Sequence, residues 1–80
     1  MPRYFFDLHD GSNFVKDDQG FDLPDPDAVR ERLARLMTKV ARGITASSDR
    51  QDFFAIARDE HGTVLFRAHL SLDMETVERA

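Results

Sequence analysis

The chain has 80 residues, no cysteine and a formal net charge of −4 at pH 7. This length predicts one small domain over residues 1–80, and the lack of cysteine excludes disulfides, thiolate catalysis and cysteine-ligated zinc sites. The acidic charge works against non-specific binding to nucleic acid. No apolar stretch approaches the ~18 residues of a membrane span, and none forms the core of a signal peptide. We therefore expect a cytoplasmic protein without membrane contact.

The first part of the chain predicts a β-hairpin. Apolar and polar side chains alternate over about residues 3–9, which predicts a first strand with one apolar face. That face consists of Tyr4, Phe6 and Leu8. Residues 10–13 are a strong turn signal, and residues 13–17 are then expected to return as a short second strand. Residues 21–24 should lead extended into the next element, because a residue before proline is biased away from helix.

A single long amphipathic helix is predicted over about residues 25–44. Asp25 suits the capping position, Pro26 suits the first helical position, and Gly43 suits the end. Residues 45–49 are then expected to form a loop. The apolar side chains recur with a helical period and form one stripe: Val29, Leu33, Leu36, Met37, Val40 and Ile44.

The polar side of this helix carries a row of cations, here called the basic stripe, formed by Arg32, Arg35, Lys39 and Arg42. One interpretation is a contact with an anion or with nucleic acid. The other is an ordinary solvated helix face, because Glu31 lies four residues before Arg35 and can pair with it. We favour the solvated face, since the chain as a whole is acidic, and keep the anion contact as the alternative.

Two more strands are predicted after the helix. Residues 52–59 form the third strand, but both of its faces are partly apolar, so the pattern leaves open which face meets the helix. Residues 60–62 contain a glycine suited to a tight turn. Strict alternation over about residues 63–73 predicts the fourth and longest strand, with Val64 and Phe66 on its apolar face. Its end is expected to extend past its partner strand.

The order of elements predicts an α+β fold, β-β-α-β-β, with a four-stranded antiparallel sheet and the helix packed on one face. The expected core consists of Tyr4, Phe6, Leu8, Leu33, Leu36, Val40, Val64, Phe66 and Leu70. One helix covers only one side of a sheet, so large apolar side chains should remain on the other side. The predicted interaction surface there consists of Phe5, Phe54, Ile56 and Leu65.

A surface of this kind favours self-association, because contiguous exposed apolar groups are uncommon on a monomer. We expect a homo-oligomer, with a dimer favoured, joined face to face or through the fourth strand at a sheet edge. The alternative is that these are scattered exposed apolar residues, which are ordinary on protein surfaces. A further protein partner is left unidentified.

The polar residues predict little chemistry. His9 and His69 lie near strand ends and would be neighbours if the first and last strands paired, which makes His9, Asp10 and His69 weak candidates for a metal site. Their spacing follows no metal-site signature, and surface histidines are the simpler interpretation. The aspartates before the helix suit turns and caps. Without a phosphate loop or nucleophile elbow, we expect no enzyme activity and no cofactor.

The sequence also resembles a known family. The opening Pro-Arg-Tyr-Phe-Phe-Asp-Leu-His-Asp-Gly over residues 2–11 is similar to the start of a family of small uncharacterised bacterial proteins, a domain of unknown function. The resemblance continues through Asp-Asp-Gln-Gly over residues 17–20, Leu-Pro-Asp over residues 23–25, and Val-Leu-Phe-Arg-Ala over residues 64–68. It implies a bacterial domain with no established activity and no functional residue to transfer.

These observations lead to three hypotheses. The first is a small non-enzymatic protein-interaction module that self-associates through its sheet. The alternative is a nucleic-acid-linked regulator, similar to an antitoxin, that uses the basic stripe. The third is a small metal-binding protein.

Overall fold

A computed structural model of the chain describes residues 1–11, 13–44 and 49–78. It confirms the α+β fold and the β-β-α-β-β order, and it adds one short strand before the helix. The elements are β1 Arg3–His9, β2 Phe14–Val15, β3 Phe21–Asp22, α1 Pro26–Arg42, β4 Arg50–Arg58 and β5 Val64–Asp73. Most of the loop predicted after the helix, residues 45–48, and Ser12 of the first turn lie outside the described residues.

The sheet is antiparallel and has five strands where four were predicted. Its order is β2-β1-β4-β5, and β3 also pairs with β1. β2 and β3 lie along the same edge of β1, with Val15 opposite Leu8 and Phe21 opposite Tyr4. Residues 16–20, here called the 16–20 loop, leave the ladder between these two short strands. β3 was not predicted as a strand, because two residues are too few to establish an alternating pattern.

The single helix begins where the sequence predicts. The side chain of Asp25 accepts a hydrogen bond of 2.8 Å from the backbone N–H of Ala28, which satisfies a free donor of the first turn. Pro26 occupies the first helical position, and Gly43 caps the end. Lys39 and Arg42 lie in the last turn, where positive charge interacts favourably with the negative end of the helix dipole. Over the ranges described, α1 is not long and apolar enough to cross a membrane.

The core lies between α1 and one face of the sheet. The buried apolar residues are Tyr4, Phe6, Val29, Leu33, Ala55 and Ala57. The small side chains of Ala55 and Ala57 lie in the middle of the sheet and leave room for the helix to approach. The face of β4 that meets the helix is therefore the alanine face. Because side chains alternate along a strand, Phe54 and Ile56 point to the other side.

Val64 is not a core residue, contrary to the sequence-based expectation. The pairing of β4 with β5 shifts between Ala57, which lies opposite Phe66, and Arg58, which lies opposite Val64. Leu65 is thus the extra residue of a β-bulge, and alternation along β5 is interrupted there. Val64 shares the face of Arg58, away from the helix, and 44% of its surface is exposed.

β5 does not extend past β4, contrary to the expectation that its end would outrun its partner. The two strands pair along the whole of β5, with Arg50 opposite Asp73. Both strands do extend past β1, which ends at His9 opposite Phe54. The open end of the β4–β5 hairpin therefore projects from the sheet, and the molecule measures 60 × 23 × 19 Å.

Candidate interaction surfaces

The face of the sheet opposite α1, here called the far face, is built from three rows of cross-strand neighbours. The rows are Phe5, Arg58 and Val64; then Asp7, Ile56 and Arg67; then His9, Phe54 and His69. Three of the predicted contact residues, Phe5, Phe54 and Ile56, lie on this face. The fourth, Leu65, lies at one end of the sheet as the bulge residue. The structure therefore brings three of the four together.

The far face is amphipathic rather than continuously apolar. Phe54 is 40% exposed, while Phe5 and Ile56 are half-buried. The ring of Phe54 stacks on the ring of His69 at a centroid distance of 4.3 Å, with the two planes nearly parallel. Charged side chains interrupt the apolar ones in every row except the third, which carries histidines. Such a surface suits contact with a polar and apolar partner surface rather than burial in a wholly apolar core.

A buried ion pair on the far face joins Asp7 of β1 to Arg58 of β4. Asp7 is only 4% exposed, and Arg58 donates hydrogen bonds to both of its carboxylate oxygens. The same guanidinium donates a hydrogen bond of 2.9 Å to the backbone carbonyl of Asp17. Its central carbon lies 4.6 Å from the ring centre of Phe5. Arg58 thus joins β4, β1 and the 16–20 loop.

Asp17 accepts a backbone hydrogen bond from β1 in the gap between β2 and β3. One of its carboxylate oxygens accepts from the backbone N–H of Phe6 at 3.1 Å. The other accepts from the N–H groups of Gln19 and Gly20 at 3.1 and 3.0 Å. Its own N–H donates to Asp7 at 2.9 Å. The side chain of Asp17 therefore gives the N–H of Phe6 a partner where the ladder is interrupted, and it holds the loop against the sheet.

Both carboxyl groups of this network are ionised at neutral pH. Burial raises the pKa of Asp7, but the hydrogen bond and charge of Arg58 and the N–H of Asp17 lower it below its ordinary value. Burial also raises the pKa of Asp17, and the N–H groups of Gly20, Phe6 and Gln19 outweigh that effect. The pKa of Arg58 is raised, chiefly by its hydrogen bond to Asp7.

β5 forms one edge of the sheet. It is ten residues long and pairs with β4 on one side, while no strand of the described residues pairs with its other side. Arg67 and Asp73 are its charged residues, and neither forms an ion pair within the part of the chain that is described. Long open edges of this kind are ready templates for another strand.

The histidines do not form the cluster that their positions near strand ends suggested. His9 and His69 lie in one row, but Phe54 of β4 stands between them, because β1 and β5 do not pair. His69 instead contacts Asp52, with 2.9 Å between Nε2 and Oδ1, and this hydrogen bond lowers the pKa of Asp52. In ranges 1–11, 13–44 and 49–78, no three metal-ligating side chains form a group that could hold a metal ion, and Asp10 is therefore not part of one.

The basic stripe is divided between a groove and open solvent. Arg32, Arg35 and Lys39 line a groove of about 530 Å³ between α1 and the 16–20 loop, whereas Arg42 does not line it. Arg35 pairs with Glu31 at 2.7 Å, as its spacing predicted. The guanidinium of Arg32 lies 3.7 Å from the ring centre of Phe21. Two of the cations therefore have contacts within the chain, and of these the sequence predicted the pair of Arg35 with Glu31 but not the stacking of Arg32 on Phe21.

Comparison with known proteins places the chain in a family. Residues 3–71 match the family model described as a domain of unknown function (DUF6894). No curated protein and no solved structure matches the chain. The matched residues include the far face, the groove and β5 as far as Ser71. Since this match covers most of the 80 residues, the chain belongs to the DUF6894 family of domains of unknown function.

Proposed function

We propose that this domain is a non-enzymatic protein-interaction module that self-associates by pairing β5 of one copy with β5 of a second copy. The observation that carries this proposal is the open ten-residue edge of β5. Natural sheets usually shorten, cover or heavily charge such an edge, because its free N–H and C=O groups recruit other strands. A second copy would satisfy these groups with a continuous sheet.

The charges of β5 support one particular register. Two identical antiparallel strands pair symmetrically about one position, and a register centred on Leu70 puts Arg67 of each copy opposite Asp73 of the other. This arrangement gives two ion pairs between residues that lack one in the described part of the chain. A register centred on His69 would place Arg67 opposite Ser71 and lose both pairs.

The apolar residues of β5 support the same register. On the face that α1 covers, Phe66 would lie opposite Met74 of the second copy, and Ala68 would lie opposite Leu72. Leu70 would lie beside its own counterpart. Met74 is 46% exposed, so it has apolar surface available for such a contact. One face of the paired β5 strands would then be apolar, and the other face would carry the ion pairs.

A binding role is also supported by the state of the polar groups. Among the described residues, every buried side-chain nitrogen and oxygen has a hydrogen-bond partner within the protein. A buried polar group without a hydrogen-bond partner requires an explanation, and a catalytic role is one of the explanations that occur. The Asp7, Asp17 and Arg58 network instead holds strands and loop together, which is a structural task.

The test is the solution mass, measured by light scattering over a wide range of protein concentration. The wild type should form a dimer. Arg67→Asp and Asp73→Arg should each weaken the dimer about tenfold, because each replaces two attractive pairs with two repulsive ones. The double variant, which restores opposite charges, should recover most of the affinity. Arg30→Asp, on the exposed side of α1, is the matched control and should leave the mass unchanged.

Two results would overturn the proposal. One is a wild type that is monomeric at every concentration. The other is a double variant that associates no better than either single variant, since the charges would then not face each other.

A further inference from the structure

The groove between α1 and the 16–20 loop has the dimensions of a ligand site. Its volume of about 530 Å³ lies within the range of sites that hold small molecules. Phe6 and Leu36 are its most buried apolar lining residues, and Val15 and Phe21 add apolar surface from the short strands. The interior of the groove can therefore contact an apolar body of modest size.

The charge of the groove is opposite to that of the chain. Lys16 on the loop side and Arg32, Arg35 and Lys39 on the helix side give four cations, against two acidic residues, Asp17 and Asp18. Both oxygens of Asp17 already accept backbone hydrogen bonds. A positive groove in a chain of net charge −4 selects an anion by charge complementarity.

One wall of the groove is already held in place by contacts within the protein. The ring of Phe21 meets the ring of Phe6 edge to face, with 5.8 Å between ring centres. The guanidinium of Arg32 lies over the ring of Phe21, 3.7 Å from the ring centre. Because this wall is ordered before a ligand binds, less side-chain conformational entropy is lost on binding. Lys16 and Lys39 form no ion pair within the described ranges, so their ammonium groups are available to a ligand.

We propose that this groove binds a small amphipathic anion, in which an acidic group is attached to an aromatic or acyl body. Lys16 and Lys39 bind the acidic group from opposite sides of the groove. The apolar body lies against Phe6 and Leu36. This site is at the edge of the sheet that carries β2 and β3, opposite the β5 edge, so it does not depend on self-association.

A small anion fits the groove better than a nucleic acid does. A nucleic-acid backbone needs a row of accessible cations along its length. Here Arg35 is paired with Glu31 and Arg32 is stacked on Phe21, so within the described ranges only Lys16 and Lys39 remain as groove cations without such a contact, and two cations do not form a row. The apolar interior of the groove also has no role in binding a phosphate backbone.

The probe for the test is 8-anilinonaphthalene-1-sulfonate, an anion with an aromatic body, titrated by its fluorescence. The wild type should bind it at one site, and laurate should displace it. Lys39→Glu and Lys16→Glu should each weaken binding about tenfold or more. Arg42→Glu makes the same charge change in the same stripe outside the groove and should change affinity by less than twofold. Circular dichroism checks that each variant is folded.

An uncharged analogue separates the two parts of the proposal. N-phenyl-1-naphthylamine has the same aromatic body without the sulfonate, so it should bind the wild type at least tenfold more weakly and should not respond to Lys39→Glu. Amide shifts in ¹H–¹⁵N spectra should cluster on the 16–20 loop and on the α1 residues that line the groove.

Four outcomes would overturn this inference. Amide shifts that cluster on the far face would place the probe elsewhere, and equal affinity for the uncharged analogue would remove the role of the cations. Displacement of the probe by a short single-stranded oligonucleotide at lower concentration than by laurate would assign the basic stripe to nucleic acid. Absence of binding at millimolar probe would also refute the site.

Discussion

Arg58 holds the carboxylate of Asp7 by two hydrogen bonds across the β1–β4 ladder, at 2.8 Å from Nε and 3.3 Å from Nη2. The same side chain reaches the backbone of Asp17, whose loop forms one side of the groove. The far face and the groove, which lie on opposite sides of the sheet, are therefore attached to one buried ion pair. Loss of this pair should disturb both surfaces.

Asp7→Ala should destabilise the fold by about 3 kcal/mol, because it leaves the largely buried guanidinium of Arg58 without its carboxylate partner. Urea-induced unfolding measures the change. Glu31→Ala is the control, since it removes an exposed pair from the surface of α1 and should cost at most about 0.5 kcal/mol. Equal losses in the two variants would contradict a structural role for the buried pair.

Stability should fall on the acid side. The pKa values of Asp7 and Asp17 are lowered in the folded state, so the unfolded chain binds protons first as the pH drops. Their contribution is complete above the ordinary carboxyl pKa and is lost as the pH falls through the lower folded pKa. Unfolding free energy should be steady near pH 6 and decline below about pH 4. Asp17→Asn should be less stable at neutral pH and should show a shallower acid decline; an unchanged slope would argue against this assignment.

Gly20→Ala should be more damaging than Gly62→Ala, although both glycines have positive φ angles of +75° and +84°. A Cβ atom at residue 20 would lie 2.9 Å from the side chain of Phe5 and from the carbonyl of Tyr4, whereas one at residue 62 would meet nothing within 4 Å. Gly62→Ala should cost about 1 kcal/mol for the backbone alone, and Gly20→Ala about 1–3 kcal/mol more. Thermal or urea unfolding of the pair measures the difference, and similar losses would refute the close approach.

Val29→Ala should destabilise the fold by about 2 kcal/mol or more, because Val29 is fully buried between α1 and the sheet and its loss leaves a cavity. Val15→Ala makes the same change at a side chain that is 60% exposed and should cost less than about 0.5 kcal/mol. Urea unfolding at neutral pH compares them. The reverse order of losses would mean that the core lies elsewhere.

The sequence predicts the regular elements well because their patterns are long. α1 and β1 show clear periods, and the cap at Asp25 marks the start of the helix. The prediction fails where structure depends on pairing. β3 is too short to produce a pattern, and the bulge at Leu65 follows from the register of β5 on β4, which moves Val64 out of the core.

The surfaces are predictable only in part, for the same reason. Alternation along β1 and β4 places Phe5, Phe54 and Ile56 on one side of the sheet once the alanine face is known to meet the helix. The pair of Asp7 with Arg58 joins residues 51 apart in sequence, and no local pattern indicates it. The groove likewise forms only when the 16–20 loop folds beside α1, although the basic stripe did identify three of its cations.

The projecting end of the β4–β5 hairpin divides the molecule into regions of unequal protection. Beyond Phe54, where β1 ends, only two strands hydrogen-bond to each other, so amide protons there should exchange with solvent through local opening. Amide protons in the central part of β4, which has a strand on each side, should exchange only through global unfolding. Pairing of two β5 strands about Leu70 would place the weakest region of each copy at the centre of a four-stranded ribbon, where exchange would be slowest.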